Sequence, residues 1–288
     1  MALTRCRTFF MLVALTIASP LFSQNNTKPL VFGNSEVFHS DILKEDRNIN
    51  IYLPEEFNPT DATKYPVIYI LDGGVEEDFF HIAGIVRYNT QPWVERFPRS
   101  IVVGIENTNR RRDFTYAVPD LNFLEKEGFK KESFPQYGGS EKYISFLKNE
   151  LQPYIEKKYK ANNNRTIIGE SLAGLMSTEI LLKEPEMFNQ YIIISPSMWW
   201  GGEKLLKEAD SLLKSRLKTT KNVYIGAPNK EEDVRMYNEA EALYKILKSN
   251  KNITVNFDYM PDELHSTAIH QGVYNGFKKL YPKSAYSK

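Results

Sequence analysis

The sequence predicts an α/β fold, in which a mostly parallel sheet carries helices on both faces. Two observations favour this class. Short, continuous apolar runs recur along the chain, as they do in strands buried on both faces, and helical patterns separate the later runs. The length of 288 residues, with 42% apolar and 25% charged residues, fits a globular protein and excludes disordered and coiled-coil classes.

The apolar runs and the helical patterns place the elements along the chain. The predicted strands cover residues 31–38, 49–53, 66–71, 100–105, 165–168, 191–194, 222–225 and 253–259. The predicted helices cover residues 141–159, 173–182, 203–217, 232–248 and 269–280. Because no linker rich in glycine or serine interrupts this series, residues 25–288 are expected to form one domain. The polar stretch 107–140 is expected to pass over the top of the sheet.

Residues 1–24 have the layout of a secretory signal peptide. Arg5 and Arg7 precede an apolar stretch at 9–18, and a plausible cleavage region follows. That stretch is short for a membrane span, so an uncleaved anchor is the less favoured alternative. Cleavage removes two of 37 basic residues, none of 36 acidic residues and the only cysteine, Cys6, which leaves a net charge of −1. We therefore expect an exported protein, periplasmic or secreted, with no membrane span after cleavage, no disulfide scaffold and no electrostatic footprint for nucleic acid.

One short segment carries the candidate nucleophile. Gly169-Glu-Ser-Leu-Ala-Gly174 follows a predicted strand directly and opens a predicted helix. It is a modified Gly-x-Ser-x-Gly motif, because Ala173 stands where the second glycine is usual. Small residues at these positions permit the sharp strand-to-helix turn that exposes a nucleophilic serine. The segment therefore predicts Ser171 as a nucleophile, with an ordinary serine at a helix N-terminus as the alternative.

The base is sought among four histidines. In enzymes with such a serine turn, the base comes last along the chain, after the final strand. This order excludes His39 and His81. His265 lies in the loop directly after the last predicted strand, whereas His270 lies in the first turn of the last helix. His265 is therefore the predicted base.

The sequence offers several acids to orient the base. Glu231, Glu232 and Asp233 all follow the penultimate strand, where a triad acid is expected. We favour Glu231, with Glu232 close behind. Acidic residues also gather in first turns of helices for dipole reasons alone. A Ser–His dyad without an acid therefore remains open.

The oxyanion site is predicted from two segments. Asp72-Gly73-Gly74 follows the third strand, where one backbone donor is expected, and the N–H of Leu172, after the serine, is the other. Glycine at 73 and 74 permits a close approach of the backbone to a substrate carbonyl. A plain turn is the alternative for this Asp-Gly pair.

Further segments give the chain a family resemblance. They are Leu71-Asp-Gly73, Gly104-Ile-Glu-Asn-Thr-Asn-Arg-Arg-Arg-Asp-Phe-Thr115 and Ser195-Pro-Ser-Met-Trp-Trp200. With the serine turn, they resemble the esterase-D-type branch of α/β-hydrolases, which includes ferric-siderophore esterases and carbohydrate esterases acting on acetyl or feruloyl groups. The resemblance covers about residues 31–280. It implies the α/β-hydrolase fold, Ser171 as nucleophile, His265 as base, and Gly73 or Gly74 with Leu172 as oxyanion donors.

The chain departs from this family at two places. Glu170 and Ala173 stand where the family commonly has histidine and glycine. Relatives often place a glutamate where this chain has Asn229 and Lys230. The second departure bears directly on which acid belongs to the site.

Aromatic and cationic residues are the candidates for substrate binding. Trp199 and Trp200 follow the sixth strand, at the sheet edge where open α/β folds bind ligands, and they can stack on an aromatic group. Packing beneath the loop is the alternative for at least one of them. Arg110 and Arg112 match the family's charged loop and can meet an anionic substrate, with a solvated loop as the alternative.

These features predict a serine esterase that cleaves carboxylic esters through an acyl-enzyme. Its partner is expected to be a small-molecule or oligosaccharide ester. Metals and organic cofactors are not expected, because the sequence contains no Cys/His cluster and no glycine-rich phosphate loop. A non-enzymatic binding module is the alternative, disfavoured because the catalytic elements occur in the right order. The sequence makes no prediction of the oligomeric state.

Overall fold

An eight-stranded sheet with flanking helices forms the body of the protein. A computed structural model describes residues 27–60 and 62–283. The predicted signal peptide, residues 1–24, lies outside the described residues. The chain from Gly33 onward forms one compact unit, and a second, smaller unit precedes it. In the part of the smaller unit that is described, residues 27–32, no helix or strand is present.

The sheet has a mostly parallel arrangement, as predicted. Its strands are β1 (Asn34–Ser40), β2 (Glu45–Tyr52), β3 (Tyr65–Leu71), β4 (Ile101–Ile105), β5 (Ala161–Glu170), β6 (Gln190–Ile194), β7 (Lys221–Ala227) and β8 (Ile253–Tyr259). Their order across the sheet is β1-β2-β4-β3-β5-β6-β7-β8. β2 pairs antiparallel with β1 and β4, and all other pairs are parallel. The central strands β4 and β6 are buried along their whole length, in agreement with their continuous apolar sequences.

The helices cover both faces of this sheet. They are α1 (Phe79–Asn89), α2 (Arg110–Asp113), α3 (Ser140–Phe146), α4 (Gln152–Tyr159), α5 (Leu172–Lys183), α6 (Lys204–Arg216), α7 (Val234–Lys248) and α8 (Ala268–Leu280). A π-helical turn, Leu147–Leu151, joins α3 to α4, so the single predicted helix at 141–159 is interrupted. None of the helices in the described ranges is long and apolar enough to cross a membrane.

Helix α1 was not predicted from the sequence. Its buried residues include Phe79, Ile82, Ala83 and Val86, which follow the helical period. The segment is nevertheless rich in aromatic and β-branched residues and contains Gly84, all of which have low helix propensity. Burial of its apolar face therefore outweighs its weak intrinsic preference.

The sheet order brings the candidate residues to one edge. β3 pairs with β4 on one side and with β5 on the other, so the order of the chain reverses at β3. Glu170, Ile194 and Gly226 are neighbours in register at the carboxyl ends of β5, β6 and β7. The loops that follow β3, β5, β6, β7 and β8 therefore open on the same edge, where α/β folds bind their ligands.

Candidate active site

The turn between β5 and α5 holds Ser171 in a strained conformation. Its φ and ψ are 58° and −120°, and its N–H donates to Ile194 O at 3.0 Å. Gly169 is required beside it, because a Cβ there would lie 2.3 Å from the backbone oxygen of Ala173. Strained residues of this kind persist where the surrounding structure fixes them, often at functional sites. Ser171 thus has the geometry of a nucleophile elbow.

Among residues 27–60 and 62–283, the side chain of Ser171 has one hydrogen-bond neighbour, Ser197. The Ser171 Oγ is 3.3 Å from Ser197 Oγ, and the Ser197 N–H donates to Ser171 O at 3.0 Å. Leu172 is the first residue of α5, so its N–H has no acceptor within the helix. The partial positive charge of a helix N-terminus favours negative charge that develops at this point.

His265 lies in the loop between β8 and α8 and faces the end of β6. Its Nδ1 is 2.9 Å from Ser195 Oγ. Its backbone N–H donates to Glu232 Oε2 at 2.6 Å. Burial is the main cause that lowers the pKa of His265, and the charge of Arg110 lowers it further, whereas Glu232 and Asp233 oppose the shift. The imidazole is therefore neutral at pH 7, as a general base must be.

The other histidines have different surroundings. His270 Nε2 is 3.3 Å from Asp78 Oδ1, and its ring stacks on His81 with centroids 3.6 Å apart. His39 pairs with Asp46 on the exposed face of β1 and β2. All four histidines lie in the described ranges, and His265 alone contacts a residue that directly follows β6.

The three candidate acids are arranged differently around His265. Glu232 accepts from the His265 backbone, as described above. Asp233 is the N-cap of α7, and its Oδ1 accepts from Met236 N at 2.9 Å. The exposed side chain of Glu231 accepts no hydrogen bond from any residue within 27–60 or 62–283, although its N–H donates to Asn229 Oδ1 at 2.8 Å. Glu232 is therefore the carboxylate in contact with the predicted base, through the backbone of His265.

Both glycines of the predicted oxyanion loop already donate hydrogen bonds. The Gly73 N–H donates to Ile105 O at 2.9 Å, and the Gly74 N–H donates to Glu77 Oε2 at 2.7 Å. A Cβ at Gly73 would lie 2.4 Å from Gly104 Cα, so glycine is required for the close approach of this loop to β4. The Gly74 N–H is bonded to the side chain of Glu77. A ligand can displace a side chain more easily than it can displace the backbone carbonyl of a strand.

Arg110 joins the loop after β3 to the serine turn. It donates to both carboxylate oxygens of Asp72, the residue directly after β3, and to the backbone oxygen of Glu170 at 3.2 Å. Asp72 itself has a positive φ of 59° and also accepts from Asn107. The two segments that flank the predicted oxyanion position are therefore linked by one guanidinium.

Glu170 precedes Ser171 and is a partly buried acid. Its Oε1 is buried and has no hydrogen-bond partner among the described residues. Burial raises the pKa of Glu170 to about 8, with the nearby Asp78 and Asp72 adding to the shift and Arg110 opposing it. Glu170 is therefore predominantly protonated at pH 7 and adds little negative charge beside Ser171.

The remaining predicted substrate-binding residues are engaged within the protein. Arg112 donates to Glu45 and to Asp113, which keeps α2 on β2. Trp200 is fully buried, and its Nε1 donates to Tyr116 O at 2.9 Å. The indole of Trp199 is 6% exposed and stacks on the ring of Phe129 at 5.2 Å.

A ligand can therefore reach the Trp199 face stacked on Phe129 only if Phe129 moves. Phe129 itself is 40% exposed. Trp200 has the alternative role that the sequence allowed, packing beneath the loop.

Three residues of this edge were not identified from the sequence as part of the site. They are Asp72, Ser195 and Ser197. Asp72 and Ser195 directly follow β3 and β6, and a polar residue immediately after a buried parallel strand is the signal from which they could have been found. Their pairing with Arg110 and His265 has no signal in the local sequence.

Comparisons with known proteins show the family to which the chain belongs. The family model described as "Putative esterase" matches residues 40–280. Ferri-bacillibactin esterase BesA of Bacillus subtilis is 29% identical over 243 residues, which cover 78% of this chain and 82% of the relative.

Solved structures extend the comparison. An IroE-like serine hydrolase from Shewanella oneidensis has a TM-score of 0.79 at 27% identity, covering 87% of this chain and 80% of its own. The BES protein from Bacillus cereus shares the fold, with a TM-score of 0.75 at 23% identity over 88% of this chain and 98% of its own. The chain therefore belongs to this esterase family and is a carboxylic ester hydrolase with the α/β-hydrolase fold.

Proposed function

We propose that the protein hydrolyses carboxylic esters through an acyl-enzyme on Ser171, with His265 as the base. The observation that carries the proposal is the strained turn at Ser171, with a φ of 58°, directly before the first residue of α5, Leu172. A serine in that position has both a route to the substrate carbonyl and a donor for the oxyanion that forms. The neutral state of His265 at pH 7 supports its role as base.

The reaction then proceeds in two halves. His265 Nε2 takes the Ser171 proton as Oγ attacks the ester carbonyl, and the Leu172 N–H stabilises the tetrahedral oxyanion. The protonated imidazole returns this proton to the leaving alcohol, which produces the acyl-enzyme. A water molecule, deprotonated by His265, attacks the acyl group and releases the acid. The Gly74 N–H becomes the second oxyanion donor when the Glu77 carboxylate turns away from it.

A carboxylate near His265 supports this cycle. We assign this role to Glu232, because it accepts from the His265 backbone and its charge favours the imidazolium. Glu231 stays as the alternative, distinguished by substitution.

The proposed substrate is a small-molecule ester of the siderophore type. The support is the similarity to a relative named ferri-bacillibactin esterase, which extends over 78% of the chain. The charged loop is a weak attractor for an anionic substrate, because Arg110 pairs with Asp72, and Arg112 pairs with Glu45 and Asp113. Arg110 and Arg112 are therefore poorly placed to recognise such a substrate.

The proposal includes export. Residues 1–24 carry the features of a signal peptide, and residues 25–288 would act as a single catalytic domain in the periplasm or outside the cell. Mass spectrometry of the exported protein, with its N-terminus identified, tests this point.

Covalent labelling tests the nucleophile directly. A serine-directed fluorophosphonate is expected to add one adduct to the protein, on Ser171, and none to Ser171→Ala. Ser197→Ala is the matched control, because its hydroxyl neighbours that of Ser171, and it should still be labelled. Hydrolysis of a ferric tri-catecholate lactone, compared with acetylated xylan and a feruloylated sugar, then tests the substrate class. A preference for either carbohydrate ester would contradict the siderophore assignment and leave the esterase assignment intact.

A further inference from the structure

We infer that Ser195 is the positioning residue of the base, with its hydroxyl holding the His265 imidazole from the Nδ1 side. In Ser-His-Asp enzymes a carboxylate takes this place. The inference deepens the proposed function and rests on it, because it assumes that His265 is the base.

The backbone of Ser195 is fixed by its surroundings. Ser195 directly follows β6, is 3% exposed and has a φ of 41°, in the left-handed region that non-glycine residues rarely adopt. Its N–H donates to Gly226 O at 2.8 Å, at the end of the neighbouring strand. A side chain on such a backbone has little freedom, so its hydroxyl is a fixed point for a partner.

That partner is the imidazole of His265. Ser195 Oγ lies 2.9 Å from Nδ1, within hydrogen-bond distance. When the Nδ1–H donates to this oxygen, the lone pair of the imidazole lies on Nε2. This tautomer leaves Nε2 able to accept the proton of the nucleophile.

Among the described residues, 27–60 and 62–283, no carboxylate is bonded to Nδ1. The Glu232 carboxylate accepts from the His265 backbone N–H. A space of about 10 Å³ lined by Ser195, Glu232 and His265 is at most large enough for one water molecule. The side-chain carboxylate of Asp233 caps α7. The two residues therefore have different roles. Ser195 orients the His265 ring, while Glu232 holds the His265 loop and supplies negative charge.

The tautomer of His265 gives a readout that does not depend on activity. Long-range ¹⁵N–¹H NMR correlations of the histidine rings, with His265→Ala used to identify the signal, report which ring nitrogen carries the proton. We expect the Nδ1–H form to dominate in the parent protein. In Ser195→Ala and Ser195→Gly the Nε2–H form should gain population, because the acceptor at Nδ1 is gone. Ser195→Gly suits the positive φ, so it serves if Ser195→Ala does not fold.

Kinetics supply the second readout. Both Ser195 variants should lower kcat about 10-fold, the scale of one neutral hydrogen bond, while KM changes little. Ser266→Ala is the matched control, because it removes an exposed hydroxyl adjacent to His265 and should leave both the tautomer and kcat unchanged. The Ser195→Gly variant is not expected to recover kcat, because glycine tolerates the positive φ at this position but carries no hydroxyl.

The outcomes separate the inference from the function on which it rests. An unchanged tautomer in both Ser195 variants overturns the inference, and so does an unchanged or higher kcat, even if Ser171→Ala and His265→Ala are inactive. A lower kcat with the parent tautomer also overturns it, because Ser195 would then act through the local backbone alone. Full activity in His265→Ala instead overturns the proposed function, while the tautomer measurement still reports on the Ser195–His265 contact.

Discussion

Arg110 and Asp72 form a bidentate ion pair, with Nε 2.7 Å from Oδ1 and Nη2 2.8 Å from Oδ2. The same Nη2 donates to Glu170 O, so the pair connects the loop after β3 with the serine turn. Planar, bidentate pairs of this kind need the fork of an arginine, and lysine does not reproduce them. The pair thus defines the distance between the two sides of the predicted oxyanion site.

Arg110→Lys is accordingly expected to reduce kcat rather than raise KM. We expect a loss of ~10-fold in kcat, since lysine keeps the charge but forms only one of the two parallel bonds. Arg111→Lys is the matched control, because Arg111 is exposed and lies over the ring of Phe134. Steady-state kinetics on p-nitrophenyl acetate provide the measurement. A higher KM with unchanged kcat would instead assign Arg110 to substrate binding.

The proposed catalytic pair, Ser171 and His265, gives the prediction with the largest expected effect. Ser171→Ala and His265→Ala should each lower kcat by at least ~10³-fold with the fold intact, because the first removes the nucleophile and the second removes its general base. His270→Ala should stay within a few-fold of the parent, since His270 contacts Asp78 and His81. The circular dichroism spectrum checks the fold of each variant. If His270→Ala were the inactive variant, the argument from chain order would be wrong.

The acids near His265 are separated by the pH profile. Because the Glu232 charge raises the pKa of His265, Glu232→Gln should shift the acid limb of kcat/KM to lower pH. Loss of the charged acceptor for the His265 N–H should also lower kcat ~10-fold. Glu231→Gln is the neighbouring control and should change neither quantity, because Glu231 is exposed and precedes the N-cap of α7 by two residues.

Asp233→Asn completes this series. It keeps a capping oxygen for Met236 N, so it should retain most of the stability while removing a charge that raises the pKa of His265. If Glu231→Gln proved the most damaging of the three, Glu231 would be the triad acid.

Glu170 makes the stability of the protein fall as pH rises. Its pKa is about 8 in the folded protein against an ordinary value of 4.5, owing to burial and to the charges of Asp78 and Asp72, with Arg110 opposing. Between these two pH values the folded state holds a proton that the unfolded chain has lost, so the free energy of unfolding decreases across that interval.

Glu170→Gln should remove this dependence, because glutamine resembles the protonated acid. We expect a gain of ~2 kcal/mol in the free energy of unfolding at alkaline pH, shrinking towards acidic pH. Guanidinium unfolding curves across the pH range measure it, and Glu76→Gln, at an exposed position, is the control. Parallel pH dependences for Glu170→Gln and the parent would contradict the prediction.

The sequence predicts the strands and the serine turn because their signals are local. Continuous apolar runs mark β3, β4, β6 and β7, and small residues around Ser171 mark the turn. Two features need the assembled fold. Helix α1 forms because its apolar face is buried, against a weak local preference. The contact of Ser195 with His265 joins residues 70 positions apart, and no periodicity records it.

The ion pairs of Arg110 and Arg112 likewise could not be predicted from the local sequence. Arg110 and Arg112 look like a free cationic surface in the sequence, but their partners, Asp72 and Glu45, come from strand ends far along the chain. Neutralisation of a charge is a property of the pair, so the residue type alone does not reveal it. The roles of Ser171, His265 and the acids stay predictions until the variants are measured.

Helix α5 should give Ser171 and His265, the proposed catalytic pair, unequal resistance to heat. Every residue from Leu172 to Leu182 is buried, so the amide hydrogens of this helix should exchange with solvent only when most of the protein opens. His265 instead sits in a loop beside the exposed Ser266 and Thr267, which can open at much lower cost. Warming should therefore displace the base first, and turnover should decline below the unfolding temperature while the serine turn is still intact. Such inactivation would reverse on cooling.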